Sequence, residues 1–194
     1  MKSKKTIIIC ALVTILILGG VISGVSLLFN HPLRIEKPTF IYIDRDDTAD
    51  SVYVKLQRDL NATHLTGFKM LALSKKYDQQ IHSGAYRFDA SINTLTLFRR
   101  LSSGHQTPVK VVIPSVRTLS RLARSLDRQL MPDSTEFARL VGDSAFCASL
   151  GFSLETMPAL FIPNTYEAYW NTDAEAFIQR MKKNMTFLDA GAKR

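Results

Sequence analysis

The sequence predicts an α+β protein in three parts: an N-terminal membrane-spanning helix, a small βααβ domain, and the beginning of a mixed α/β domain. Three observations predict it. Thr6 to Phe29 is a 24-residue run without a charged side chain. Strand-like stretches at 39–43 and 84–88 bracket two stretches of helical periodicity. A further strand-like stretch at 109–113 precedes a series of amphipathic segments with caps.

Fifteen of the 24 residues in the first run are Ile, Leu, Val or Phe. At ~1.5 Å rise per residue the helix is roughly 36 Å long, enough to cross a hydrocarbon core of about 30 Å. Lys2, Lys4 and Lys5 precede it, so positive charge holds residues 1–5 in the cytoplasm, residues 6–29 span, and everything after Asn30 lies outside the cytoplasmic (inner) membrane, in the periplasm. A cleaved signal peptide is the rival reading, but the run exceeds the ~7–15 apolar residues of a signal-peptide core and no A-x-A site follows. Gly20 and Gly24 have the G-x-x-x-G spacing of closely paired helices, which membrane helices also carry without pairing.

Without the three N-terminal lysines, 22 Lys and Arg stand against 17 Asp and Glu. That mild excess suits anionic lipid heads or an acidic wall polymer, and an outward location disfavours nucleic acid as a partner. Cys10 lies in the apolar run and Cys147 is alone beyond it, so no disulfide joins them.

Residues 30–38, with Pro32 and Pro38, read as a linker. Thr39 to Ile43 reads as a strand from its β-branched and aromatic residues. Thr48 or Asp50 caps a helix carrying Tyr53, Leu56 and Leu60 at i, i+3 and i+7, and a second helix runs from Gly67 to Lys76. Gly84 to Phe88 returns to strand. Ile92 to Leu101 reads as a helix stopped by Ser102, Ser103 and Gly104, which closes a region 39–107.

The second region, 108–194, opens with the strand Val109 to Ile113. Pro114 and Ser115 lead into a helix whose Leu119, Leu122, Leu126 and Leu130 form an apolar face. Arg121, Arg124 and Arg128 line another face, either solvated or set against anionic lipid or wall material. Asp133 and Glu136 have capping-box spacing for a helix through Val141, and Gly151 stops the next one. Thr172 and Glu175 match the box for a C-terminal helix with Ile178, Met181 and Met185 inward.

There is no phosphate-binding glycine loop, C-x-x-C, H-E-x-x-H or G-x-S-x-G. His31, His64, His82 and His105 lack ligand spacing, so neither a metal site nor a cofactor is expected. The informative stretch is Leu160 to Thr172, which holds the single tryptophan, Trp170, beside Tyr166 and Tyr169.

Phe161-Ile162-Pro163-Asn164-Thr165-Tyr166 resembles the apolar-Phe-Pro-Asp-Thr-Tyr signature of the endolytic murein transglycosylase (MltG, YceG-like) family. Ser83-Gly84-Ala85-Tyr86-Arg87-Phe88 is similar to that family's Ala-Gly-Thr-Tyr stretch, and Leu101-Ser102-Ser103-Gly104 to its Leu-x-x-Gly helix end. Order and spacing agree along the chain. The strand-helix-helix-strand order of 39–88 resembles a LysM-like unit, a glycan-binding module in other proteins; a βααβ packing unit without a ligand is the alternative. Four residues depart from the family pattern. Ser115 stands where many members have the glutamate of Pro-Glu-Gly, Pro158-Ala159 where many read Glu-Gly, and Asn164 in place of the aspartate. These look like a Bacteroidetes-like branch.

The resemblance implies a lyase acting on peptidoglycan glycan strands near the membrane, alongside cell-wall synthesis proteins. A glutamic acid protonates the oxygen between N-acetylmuramic acid and N-acetylglucosamine, and the muramyl 6-hydroxyl attacks C1 to leave a 1,6-anhydro end. That glutamate sits in a Glu-Lys-Glu-Thr-like helix downstream of the signature, so it is expected beyond Arg194, with residues 108–194 the first part of the catalytic domain. None of Glu36, Glu136, Glu155, Glu167 and Glu175 has that context. Asn164, Thr165 and Tyr166 are the substrate-binding candidates, and Glu167, among aromatic residues, is the substitute proton donor. The alternative class is a bitopic wall-binding or assembly scaffold without catalysis.

Overall fold

In a computed structural model the described residues are 2–30, 32–33, 35, 37–60, 65–89, 91–115, 118–132 and 134–192. Eight α-helices and six strands lie among them, in two compact units. The first unit comprises 1–41, 45–82 and 86–105, and the second 42–44, 83–85 and 106–194.

In the first unit, α1 (Lys2–Asn30) is a continuous helix of 29 residues, so it begins within the stretch read as a cytoplasmic tail. Its described apolar side chains stand exposed, Leu16 by 77% and Ile15 and Ile22 by 66%. Among the described residues no helix is long and apolar enough to cross a membrane. The span expected over 6–29 is helical in backbone throughout. The helix meets α3 and α4, defined below. The linker expected at 30–38 contains a short strand, β1 (Pro32–Leu33), antiparallel to β4 (Ile92–Asn93).

The strand-helix-helix-strand order expected for 39–88 is present: β2 (Thr39–Ile43), α2 (Ala49–Asp59), α3 (Thr66–Ser74), a short 3-10 turn at Tyr77–Gln79, and β3 (Gly84–Phe88), which pairs with β2. Thr48, not Asp50, is the cap of α2: its hydroxyl accepts from Ser51 N, while the Ser51 hydroxyl accepts from Thr48 N, the reciprocal arrangement that satisfies two orphan amides. α4 (Thr94–Ser102) starts two residues later than its apolar pattern suggests. Ile92 is taken by the β1 pairing and Asn93 caps the helix, accepting from Thr96 N. Gly104 ends that turn at φ +68°, a left-handed conformation that glycine adopts without strain. Between these elements Val52, Leu56, Leu65, Leu97 and Leu101 are fully buried around Phe68, Tyr77 and Phe98, whose ring centroids are 5.6–5.9 Å apart.

The second unit is built on an antiparallel pair, β5 (Val109–Ile113) and β6 (Asn164–Ala168), with Val111 opposite Tyr166. Val109, Val111 and Ile113 are buried and Lys110 and Val112 exposed, the period-two alternation of a one-sided strand. Four helices accompany it: α5 (Leu119–Asp127), α6 (Ser134–Gly142), α7 (Ser144–Ser149) and α8 (Ala174–Ala192). Leu122 and Leu126 face the core as expected, but Leu119 is half-buried at the entry and Leu130 is buried beyond the helix end. Arg121, Arg124 and Arg128 are exposed. The cap assigned to Asp133 lies outside the described residues. Gly151 follows α7 at φ +80°.

The cap expected at Thr172 is instead made by Asp173, whose carboxylate accepts from Ala176 N at 2.8 Å and whose carbonyl accepts from Phe177 N at 3.0 Å. The box pattern misplaces the start by one residue because Thr172 is held in the preceding turn, its N–H donating to Tyr169 O. Phe177, Ile178 and Met181 are buried, and Met185 is half-buried.

Candidate functional site

The strand β6 was not evident from sequence, and it decides where the candidate residues go. Its register puts Asn164, Tyr166 and Ala168 on the face shared with Ile113, Val111 and Val109, and Thr165 and Glu167 on the opposite face with Val112 and Lys110. The four sequence candidates are thereby divided between two faces. Tyr166 is half-buried, and its hydroxyl donates to Ile162 O at 2.9 Å. Burial pushes its phenol above the ordinary range, so it serves as a neutral donor that fixes the chain before Pro163. Asn164 is exposed at the strand end and turns its side-chain oxygen to Thr165 N at 2.7 Å. Glu167 is exposed and directly opposite Lys110. Of the neighbouring rings, Tyr169 is half exposed, and Trp170 packs on Tyr42, centroids 5.0 Å apart.

Beside this strand the second unit holds a cleft of about 260 Å³. One wall is the exit of β5, Pro114 and Ser115, with Thr118, Leu119 and Leu122 of the α5 entry. The other is Pro158 and Ala159, on a 3-10 turn at Met157–Leu160, with Phe161, Ile162 and Pro163. Local chemistry explains the wall positions. Pro158 near the start of the 3-10 turn fits its fixed φ, Phe161 anchors inward against Phe137 at 5.5 Å, and Tyr166 clamps Ile162. Thr118 caps α5, accepting from Arg121 N, so its hydroxyl is oriented by the helix it starts. Behind the wall the Gln129 side chain takes the place of a further strand on β5, accepting from Val112 N at 2.7 Å and donating to Val112 O at 3.0 Å.

The cleft brings together two separate departures from the family pattern: Ser115 and Pro158-Ala159 both line it. Each position departs from the family pattern in the sequence, but nothing in the sequence pairs them, because their proximity depends on β6 folding back along β5. Thr118, Leu119 and Leu122 as cleft residues, and Gln129 as an edge cap, carried no sequence signal. Among the described residues the lining contains two hydroxyl groups, Ser115 and Thr118, and three prolines, a largely apolar surface with a few polar groups. Among the described residues no cluster of three or more His, Cys, Asp or Glu is arranged to hold a metal ion.

The sequence profile of the YceG-like family matches residues 41–194. No curated protein matches. Among solved structures, a 2.6 Å crystal structure of a protein from Listeria monocytogenes, described as yceG-like, is similar with 17% identity and a TM-score of 0.41; the match covers 81% of this chain and 57% of that one. The chain thus spans little more than half the length of that solved protein. With the family profile extending over most of its residues, from β2 to the last, the chain belongs to the YceG-like family.

Proposed function

We propose that the chain is the N-terminal portion of a membrane-anchored lytic transglycosylase that cleaves nascent peptidoglycan strands between N-acetylmuramic acid and N-acetylglucosamine, leaving 1,6-anhydro ends. The observation that carries this reading is the YceG-like family profile over residues 41–194; Ser115 and Pro158-Ala159, the two places where the family resemblance puts glutamates in many members, both line the cleft. In this reading the cleft holds glycan. Hydroxyl groups at Ser115 and Thr118 meet sugar hydroxyls, and the proline and leucine walls meet ring faces. The proton donor is a glutamic acid in a segment that follows Arg194 in the longer protein, and the acid and the attacking 6-hydroxyl suffice without a metal or nucleotide. The exposed aliphatic side chains of α1 support a membrane anchor with the remainder in the periplasm, and the βααβ order supports a LysM-like unit between anchor and cleft. Peptidoglycan strands, the cytoplasmic membrane and cell-wall synthesis proteins are the partners this reading assigns.

The test uses uncrosslinked glycan strands. Residues 1–194 are expected to bind strands and release no anhydro-ended fragments, whereas a polypeptide continued through the downstream Glu-x-Glu-Thr helix releases them. Cleavage by residues 1–194 alone sinks the placement of the acid. The second reading is a wall-binding scaffold without catalysis; strand binding with no cleavage by the extended polypeptide would establish it.

A further inference from the structure

The outward face of α3 carries exposed apolar side chains. Gly67, Phe68 and Ala72 turn into the core, so the opposite side presents Lys69, Met70 and Leu73, with Met70 51% and Leu73 72% exposed. Two adjacent long apolar side chains on a helix surface are costly to leave in water. Lys69 lies over the Tyr53 ring of α2, 5.6 Å from its centroid, which adds an amphipathic aromatic residue to the same face. Lys75 and Lys76 follow in the turn after α3, both exposed. The hollow between Tyr53 and Leu73 holds about 90 Å³, well under the roughly 300–1,000 Å³ of pockets that enclose small molecules. Its two carboxylates lie at the α2 end: Asp50 is exposed, and Asp78 accepts from Ala49 N at 2.9 Å. The face is therefore shallow and apolar, with Lys69 on it and Lys75 and Lys76 at its C-terminal end, and it belongs to one of the two helices that α1 meets.

We propose that this face of α3, with Tyr53 beside it, docks on a bilayer surface rich in anionic phospholipid: Met70 and Leu73 enter the acyl boundary while Lys69, Lys75 and Lys76 reach the headgroups. The argument is charge complementarity together with position. Apolar residues flanked by lysines and an aromatic ring have the composition of an interfacial helix face, since lysine buries its stem and keeps its ammonium among phosphates. The contact with α1 puts α3 next to the apolar helix, which on the reading above is already in the membrane, so the inference rests on that anchor. Docking at two places would hold the βααβ unit down on the membrane rather than letting it swing on a single tether.

The full chain, with Cys10→Ser and Cys147→Ala, is reconstituted in bilayers of phosphatidylethanolamine with phosphatidylglycerol, and in phosphatidylcholine alone. Nitroxide labels are placed by Leu73→Cys, Met70→Cys or Leu16→Cys, and collisions with oxygen and with a water-soluble nickel chelate are compared. The expected result is a severalfold rise in the oxygen-to-nickel ratio at positions 70 and 73 on the anionic bilayer, lost on phosphatidylcholine, in high salt, and in the Lys69→Glu/Lys75→Glu/Lys76→Glu variant. A label at 16 that reports lipid while 70 and 73 report water on the anionic bilayer overturns the docking and leaves the anchor standing. A label at 16 that reports water overturns the anchor, and the docking with it. Spin–spin broadening at 73 that persists in detergent assigns the face to a second copy of the chain and also overturns the proposal.

Discussion

Tyr77 places a hydroxyl where the structure gives it nothing to bond. The residue is 1% exposed, its ring completes the Phe68–Phe98 cluster, and among the described residues its oxygen has no hydrogen-bond partner. An unpaired buried hydroxyl costs about 1–3 kcal/mol, while the ring itself contributes burial, so removing only the oxygen should help. Tyr77→Phe is expected to leave stability unchanged or raise it by about 1 kcal/mol, read from urea denaturation near neutral pH. The same site adds a pH dependence. Burial first, then Tyr86 and Asp47, push the Tyr77 phenol far above its ordinary 10.0, and burial raises Tyr86 to about 12 against a lowering by Arg100. Both phenols are neutral in either state below the unfolded value. As pH rises above it, the unfolded chain ionises while the folded chain does not, so stability falls as pH climbs from about 10 through the folded values. Tyr77→Phe should flatten that decline, checked by comparing denaturation midpoints at about pH 9 and about pH 11. A loss of more than about 1 kcal/mol at neutral pH would mean that the hydroxyl has a partner after all.

The entry to α8 turns on which of two neighbouring residues holds the helix start. Asp173 satisfies the Ala176 amide and sits at the positive end of a 19-residue helix, so Asp173→Ala should cost about 1 kcal/mol. Thr172→Ala should stay within about 0.5 kcal/mol, since only its backbone is engaged. Equal losses in chemical denaturation would reinstate the Thr172 cap. The case shows what was legible in the sequence and what was not. Strands rich in β-branched or aromatic residues, 39–43, 84–88 and 109–113, were readable to the residue because each is patterned by its own side chains. β6 was not, because Asn164-Thr165-Tyr166-Glu167-Ala168 carries little alternation of its own and becomes a strand by pairing with β5 more than fifty residues earlier. The candidate site followed the same division. Its motif residues stood out in the sequence, whereas the cleft between Ser115 and Pro158 exists only once that non-local pairing is made.

At the scale of the whole molecule, the second unit is not a single stretch of chain, although the sequence division at 107–108 treats it as one. It includes residues 42–44 and 83–85 as well as 106–194. Those short segments fill specific places: Tyr42 lies against Trp170, and Ser83 accepts through its carbonyl from the Asn171 side chain at 2.8 Å and through its hydroxyl at 3.3 Å. Ala85 O likewise accepts from Thr107 N at 2.8 Å, and Ile43 is completely buried. A polypeptide of residues 106–194 therefore lacks the ring that covers the single tryptophan and two partners of buried or half-buried polar groups. An aromatic contact contributes about 0.5–1.5 kcal/mol and each hydrogen bond about 0.5–1.5 kcal/mol, against a total of roughly 5–15 kcal/mol for a domain, so the truncation should be felt as a marginal fold. The expected outcome is that Trp170 emission is red-shifted in 106–194 relative to the full chain and that its thermal midpoint is lower. A polypeptide beginning at Thr39 should restore both. Identical emission and midpoint for 106–194 and 39–194 would show that the short segments contribute nothing and that the division drawn from sequence is the physical one.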